Sequence, residues 1–105
     1  MRRRVLVLTR DLIPMEGCPT SGGGIRAWGL GEALRSAGHD VVYSVPTKLV
    51  PDGEAFDEMR RLSFDPQDLH ATILRAEPDV LLLEQWGLAT HLPETSLPVV
   101  LDLHG

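Results

Sequence analysis

A glycine-rich segment at residues 21–40 constrains the fold of this chain more than any other stretch. It begins with Ser21-Gly22-Gly23-Gly24, continues with a helical pattern and stops at Gly38. Consecutive glycines allow the backbone to approach a ligand closely, and a helix that starts there directs unpaired N–H groups and a partial positive charge outwards. The segment therefore predicts a helix N-terminus that faces an anion, with phosphate as the natural candidate.

Short apolar runs on both sides of this segment predict the strands of a parallel sheet. The runs lie at residues 4–9, 40–45, 79–84 and 97–103 and are rich in branched side chains, which is typical of strands buried on both faces. Helical patterns separate them, so we expect an α/β fold with an open, Rossmann-like parallel sheet. Ligands of such sheets bind beyond the carboxyl ends of the strands.

The helical pattern after the glycines runs from Gly24 to Gly38, where glycine is suited to the C′ position. Its apolar stripe comprises Ala27, Leu30, Leu34 and Ala37. Gly29 and Gly31 each cost about 1 kcal/mol of helix propensity relative to alanine. Carrying both predicts close packing of the helix on the sheet.

The middle of the chain has weaker signals. Residues 51–53 predict a turn, residues 54–61 one or two helical turns, and residues 61–64 a short strand. Asp65 followed by Pro66 is typical of a helix start, with Asp65 as the N-cap, and this helix is expected to run to about Ala76. Its buried face should contain Leu69, Ile73 and Ala76.

The composition indicates one soluble domain. The 105 residues are 43% apolar and carry a net charge of −5, which disfavours a nucleic-acid partner. Cys18 is the only cysteine, so an intrachain disulfide is impossible and we expect a cytoplasmic protein. The apolar run behind Met1-Arg2-Arg3-Arg4 is too short for a signal peptide, and no run approaches the roughly 20 residues of a membrane span.

The pattern Gly22-x-Gly24-x-x-Ala27 formally matches the dinucleotide-binding fingerprint, but its context differs. Twelve residues separate Thr9 from Gly22, and no acid follows the second strand at Val45, where that fingerprint needs one. A P-loop is excluded because no Lys-Ser/Thr pair follows the glycines.

The order of motifs along the chain matches a different family. The chain has a long first loop with proline, a Gly-Gly pair, a helix that ends in Gly38-His39-Asp40, and the runs at residues 78–83 and 98–105. Together they resemble the N-terminal domain of GT-B glycosyltransferases of the retaining, glycogen-synthase-like group, often called family 4. The resemblance covers nearly the whole chain.

The resemblance implies a two-domain enzyme that transfers a sugar from a nucleotide-diphosphate sugar, as donor substrate and without a cofactor, to an acceptor. This chain would be the acceptor-side half, without the C-terminal donor-binding domain, and we expect no transferase activity from it alone. By resemblance Gly23 and Gly24, with Gly22 as their neighbour, face the donor diphosphate or the acceptor. His104 corresponds to the family's catalytic histidine near the donor sugar, whereas many relatives have a histidine where this chain has Glu84.

Three further residues are candidates from their own chemistry. Glu84 either contacts an acceptor or merely ends a strand, and Trp86 either stacks on a sugar ring or packs over the sheet edge. Arg26 pairs either with phosphate or with an acid of the first loop, Asp11 or Glu16. The histidines lack metal-ligand spacing, so we expect no metal site.

A second function remains open, namely a non-catalytic, stand-alone α/β binding or interaction module whose glycine loop holds a small anion or a protein partner. If the chain is a truncated domain, a sheet that stops after the run at 97–103 exposes a strand edge, which predicts either a homodimer through that edge or poor solubility. Peripheral membrane association of a full-length enzyme is also left open.

Overall fold

Each of the four apolar runs contains a strand in the computed structural model, which describes residues 2–14 and 22–102. The strands are β1 (Arg4–Leu8), β2 (Asp40–Ser44), β3 (Val80–Leu83) and β4 (Val99–Leu101). They are parallel and lie in the order β2-β1-β3-β4. The prediction of an open, Rossmann-like parallel α/β sheet is confirmed.

The helices lie between the strands along the chain. They are α1 (Gly22–Ser36), α2 (Asp57–Arg61) and α3 (Leu69–Ala76), with short 3₁₀ helices at Thr47–Leu49, Glu54–Phe56 and Trp86–His91. In the described part of the chain, none of them is long and apolar enough to cross a membrane.

The C-terminus of α1 is closed by glycine, as predicted. Gly38 has a φ of 97°, and its N–H donates to the carbonyl of Arg35 at 3.0 Å. The N–H of His39 donates to the carbonyl of Leu34 at 3.1 Å. This pair of bonds is a Schellman motif, in which the left-handed conformation favours glycine.

The sheet buries both of its faces because neighbouring residues of a strand point to opposite sides. On one face Val5, Val7, Val41 and Leu82 pack with Ala27 of α1. On the other face Leu6, Leu8, Leu81 and Leu83 pack with Phe64, with Leu69 and Ala76 of α3 and with Leu88 of the last 3₁₀ helix. Ile73 packs against this second cluster, so the predicted buried face of α3 is confirmed.

Two predictions about the middle of the chain were wrong. The N-cap of α3 is Asp68, whose carboxylate accepts from the N–H of Ala71 at 3.3 Å. Asp65 instead accepts from the N–H of Gln67 at 2.9 Å, in a separate turn before the helix. The expected strand at residues 61–64 is reduced to an isolated bridge between Pro46 and Phe64, because α2 extends through Arg61.

Three predictions about α1 also need correction. The helix begins at Gly22 rather than Gly24. Ala37 is exposed because it follows the last helical residue. Gly31 does pack closely, since a Cβ there would lie 2.6 Å from Cζ of Tyr43, but Gly29 is exposed and a Cβ there would have nothing within 4 Å.

The β4 side of the sheet is the least covered. Val99, Val100 and Leu101 are 40%, 52% and 36% exposed. An apolar groove of about 450 Å³ runs between α1 and this side, lined in part by Leu30, Leu34, Leu82 and Val100.

Candidate functional site

The crevice expected in a parallel sheet lies between the carboxyl ends of β1 and β3. The chain leaves β1 for β2 on one side, whereas β3 and β4 lie on the other side of β1. Such a reversal of strand order opens a crevice at the carboxyl edge. Thr9 follows β1 and Glu84 follows β3, and both are buried, with 0% and 3% of their surface exposed.

The Glu84 carboxylate lies between Thr9 and the first turn of α1. The Thr9 hydroxyl donates to Oε2 of Glu84 at 3.1 Å, and Oε1 lies 2.7 Å from the position that a Cβ on Gly23 would take. The glycine at position 23 therefore makes room for the carboxylate. Negative charge is favourable beside a helix N-terminus, and here the chain supplies that charge itself.

An open cleft of about 530 Å³ lies at this point. It is lined by Arg10, Asp11, Gly23, Glu84 and Gln85. The N–H of Asp11 donates to the hydroxyl of Thr9 at 3.2 Å, which ties the loop after β1 to the group that binds Glu84. The cleft thus presents carboxylate acceptors beside guanidinium and amide donors, which suits a polar, uncharged ligand with several hydroxyl groups.

Arg26 pairs with an acid that sequence reasoning did not consider. Its guanidinium forms a two-pronged ion pair with Asp102, in which Nη2 donates to Oδ1 at 2.9 Å and Nε donates to Oδ2. The hydrogen bond to Asp102 raises the pKa of Arg26. The pair joins the N-terminal half of α1 to the residue after β4. The predicted role of Arg26 in phosphate binding stays a prediction.

The three glycines have different surroundings. Gly24 is buried and Gly23 contacts Glu84, whereas Gly22 is exposed and a Cβ on it would have nothing within 4 Å. The contact of these glycines with a diphosphate stays a prediction. The site thus requires the lack of a side chain at Gly23 and not at Gly22.

Trp86 and His104 complete the list of predicted site residues. Trp86 is the first residue of the last 3₁₀ helix and is 60% exposed, so its ring remains accessible at the carboxyl edge. His104 lies outside the described residues, as do Cys18 and Glu16. Their roles stay predictions.

The other three histidines lie on different elements of the fold. His39 lies between α1 and β2, and its Nδ1 accepts from the N–H of Arg3 at 3.2 Å, at the amino edge of the sheet. His70 lies on α3 and His91 on the last 3₁₀ helix. Within residues 2–14 and 22–102, no group of three or more side chains could hold a metal ion.

The chain matches no model of a protein family, and no curated protein or solved structure matches it. The resemblance to glycosyltransferases therefore rests on the order and spacing of sequence motifs. A fold of this class supports many functions, so function has to be argued from the site.

Sequence reasoning missed several residues of the site, namely Thr9, Arg10 and Asp102. Thr9 and Arg10 directly follow an apolar strand, and the rule that ligands bind at carboxyl ends could have identified them. Asp102 follows β4 in the same way. Asp11 was considered only as a partner of Arg26, and the structure places it in the cleft.

Proposed function

We propose that this chain is the acceptor-side domain of a glycosyltransferase, and that it binds a hydroxyl-rich acceptor in the cleft at Glu84. The sugar would come from a nucleotide-diphosphate sugar held largely by a second domain. The observation that carries the proposal is the buried Glu84 carboxylate, held by Thr9 beside Gly23 while it lines an open cleft. Ligands of parallel sheets bind at this switch point, which is where Glu84 lies.

The chemistry of the cleft supports a carbohydrate acceptor. A carboxylate accepts hydrogen bonds from neighbouring hydroxyl groups, and such charge-assisted bonds are stronger than neutral ones. Arg10 and Gln85 add donors for hydroxyl oxygens. This combination orients an acceptor hydroxyl without requiring charge on the ligand.

The position of Glu84 also weighs against the alternative module. A small free anion bound directly at Gly23 would meet the Glu84 carboxylate, and like charges at short distance repel. This argues against the small-anion form of the alternative module and leaves its protein-partner form. A neutral, hydroxyl-bearing ligand avoids that repulsion.

The test is a calorimetric titration of the chain with a panel of methyl glycosides and with UDP-glucose. Replacing Glu84 by glutamine keeps the side-chain size and removes the charge, so Glu84→Gln should weaken glycoside binding about tenfold. The control is Glu94→Gln, an exposed acid outside the cleft, which should bind as the original chain does. Failure of every glycoside to bind, or equal binding by Glu84→Gln, would overturn the proposal.

A further inference from the structure

A second cleft opens at the same edge of the sheet, on the other side of Arg10. It measures about 370 Å³, and among its lining residues are Arg10, Lys48, Trp86, Thr90 and His91. No acidic residue of the described ranges lines it, although the chain as a whole carries a net charge of −5. A local excess of cations on an acidic domain favours a negatively charged ligand at that place.

The cations of this cleft differ from most arginines of the described chain. Arg4, Arg26, Arg35, Arg60 and Arg61 each pair with a carboxylate. Within residues 2–14 and 22–102, Arg10 and Lys48 have no such ion pair. Asp65 lines an adjoining recess that also contains Lys48, and Asp11 and Glu84 line the first cleft together with Arg10. The positive charge of Arg10 and Lys48 is therefore available to a ligand.

The geometry brings an aromatic ring to the same place. Nη1 of Arg10 lies 3.5 Å from the position that a Cβ on Gly87 would take, so the guanidinium lies beside the start of the last 3₁₀ helix. Trp86, the residue before Gly87, is 60% exposed and lines this cleft. An indole face suits the C–H face of a sugar ring, and arginine and lysine suit a phosphate or carboxylate.

We propose that the acceptor carries an anionic group, a phosphate ester or a carboxylate, which binds in this second cleft between Arg10 and Lys48. The inference rests on the proposed function, because it assigns a substituent to the same acceptor. Arg10 lines both clefts, so a ligand whose hydroxyl groups reach Glu84 lies next to Arg10, and Lys48 lies beyond Arg10 in the second cleft. The anionic group in this cleft belongs to the acceptor and not to the nucleotide of the donor.

The experiment compares glucose, glucose 6-phosphate and glucuronate as calorimetric titrants of the chain. We expect at least one anionic sugar to bind about tenfold tighter than glucose, and Arg10→Gln and Lys48→Gln to remove that advantage. Arg2→Gln removes the same charge at the amino edge of the sheet and should leave the advantage intact. The tighter of the two anionic sugars identifies the group as phosphate or carboxylate.

The possible outcomes separate this inference from the proposed function. The anion cleft is overturned if neither anionic sugar binds tighter than glucose, or if the tighter binding survives both Lys48→Gln and Arg10→Gln. Neither result contradicts glucose binding at Glu84. Lys48-dependent binding of an anionic sugar without any glycoside binding at Glu84 would retain the anion cleft and contradict the proposed function. Lys48 is the only lysine of the chain, so a shift of its isotopically methylated amine gives a second, site-specific readout.

Discussion

Oε1 of Glu84 lies 2.7 Å from the position that a Cβ on Gly23 would occupy. The carboxylate is buried there and accepts a hydrogen bond from Thr9. The first turn of α1 therefore packs against the residue that follows β3, and any side chain at position 23 would displace the Glu84 carboxylate. The glycine serves the position of Glu84, whatever else binds in front of the helix.

Replacing Gly23 by alanine should therefore affect the site. The added methyl group forces the Glu84 carboxylate away from Thr9, so we expect loss of glycoside binding and a decrease of about 1 kcal/mol in the free energy of unfolding, the order of one buried hydrogen bond. Gly22→Ala is the matched control because a Cβ there meets nothing within 4 Å. Urea unfolding and calorimetric titration of both variants provide the measurement, and equal behaviour of the two would contradict the role of Gly23.

The two interior glycines of α1 should respond to alanine in opposite directions. Gly29→Ala adds a side chain in open space and should raise the free energy of unfolding by up to about 1 kcal/mol through helix propensity. Gly31→Ala pushes against the ring of Tyr43 and should lower it by about 1–3 kcal/mol. Urea unfolding of each variant measures both changes. A stabilised Gly31→Ala variant would show that the helix can move away from β2 at little cost.

Tyr43 gives the chain a dependence on alkaline pH. Partial burial raises its pKa above the ordinary value, and hydrogen bonding to Oε2 of Glu32 at 2.6 Å raises it further. A raised pKa means that the neutral phenol stabilises the folded state below the ordinary pKa of about 10, and that this stabilisation is lost as the pH rises above it.

The measurement for Tyr43 is direct because it is the only tyrosine of the chain. Phenolate absorbance should appear at higher pH in the folded chain than in the chain unfolded in urea. In Tyr43→Phe, the free energy of unfolding should fall less steeply above about pH 10. Coincident phenolate titrations in the folded and unfolded chain would rule out the hydrogen bond to Glu32 as described.

The exposed strand β4 carries the prediction of a homodimer. Its three residues are exposed, and among the described residues β3 is the one strand that pairs with it. Val100→Lys places a charge on this edge and should shift the chain towards the monomer in sedimentation velocity. Leu74→Lys makes a similar change at a leucine of α3 that is 62% exposed and should leave the association state unchanged. A chain that is monomeric before any substitution would remove the prediction.

The sequence predicted the strands well because strands buried on both faces are continuous apolar runs, and residues 79–84 show this most clearly. Glu84 ends this run, so its place at the carboxyl edge of the sheet could also be read from the sequence. It placed the N-cap of α3 at Asp65, because Pro66 follows it, and missed Asp68, which has the same capping chemistry. Nor could it find the pair of Arg26 and Asp102, 76 residues apart, which depends on where β4 joins the sheet.

The central claim is that the cleft at Glu84 binds a hydroxyl-rich ligand, and amide chemical-shift mapping of the chain with glucose tests it most directly. We expect the shifted amides to include Gly23, Glu84 and Gln85, and their midpoints to move to about tenfold higher glucose concentration in Glu84→Gln. Shifts confined to the apolar groove around Leu30 and Val100, or no shifts at all up to saturating sugar, would contradict the claim.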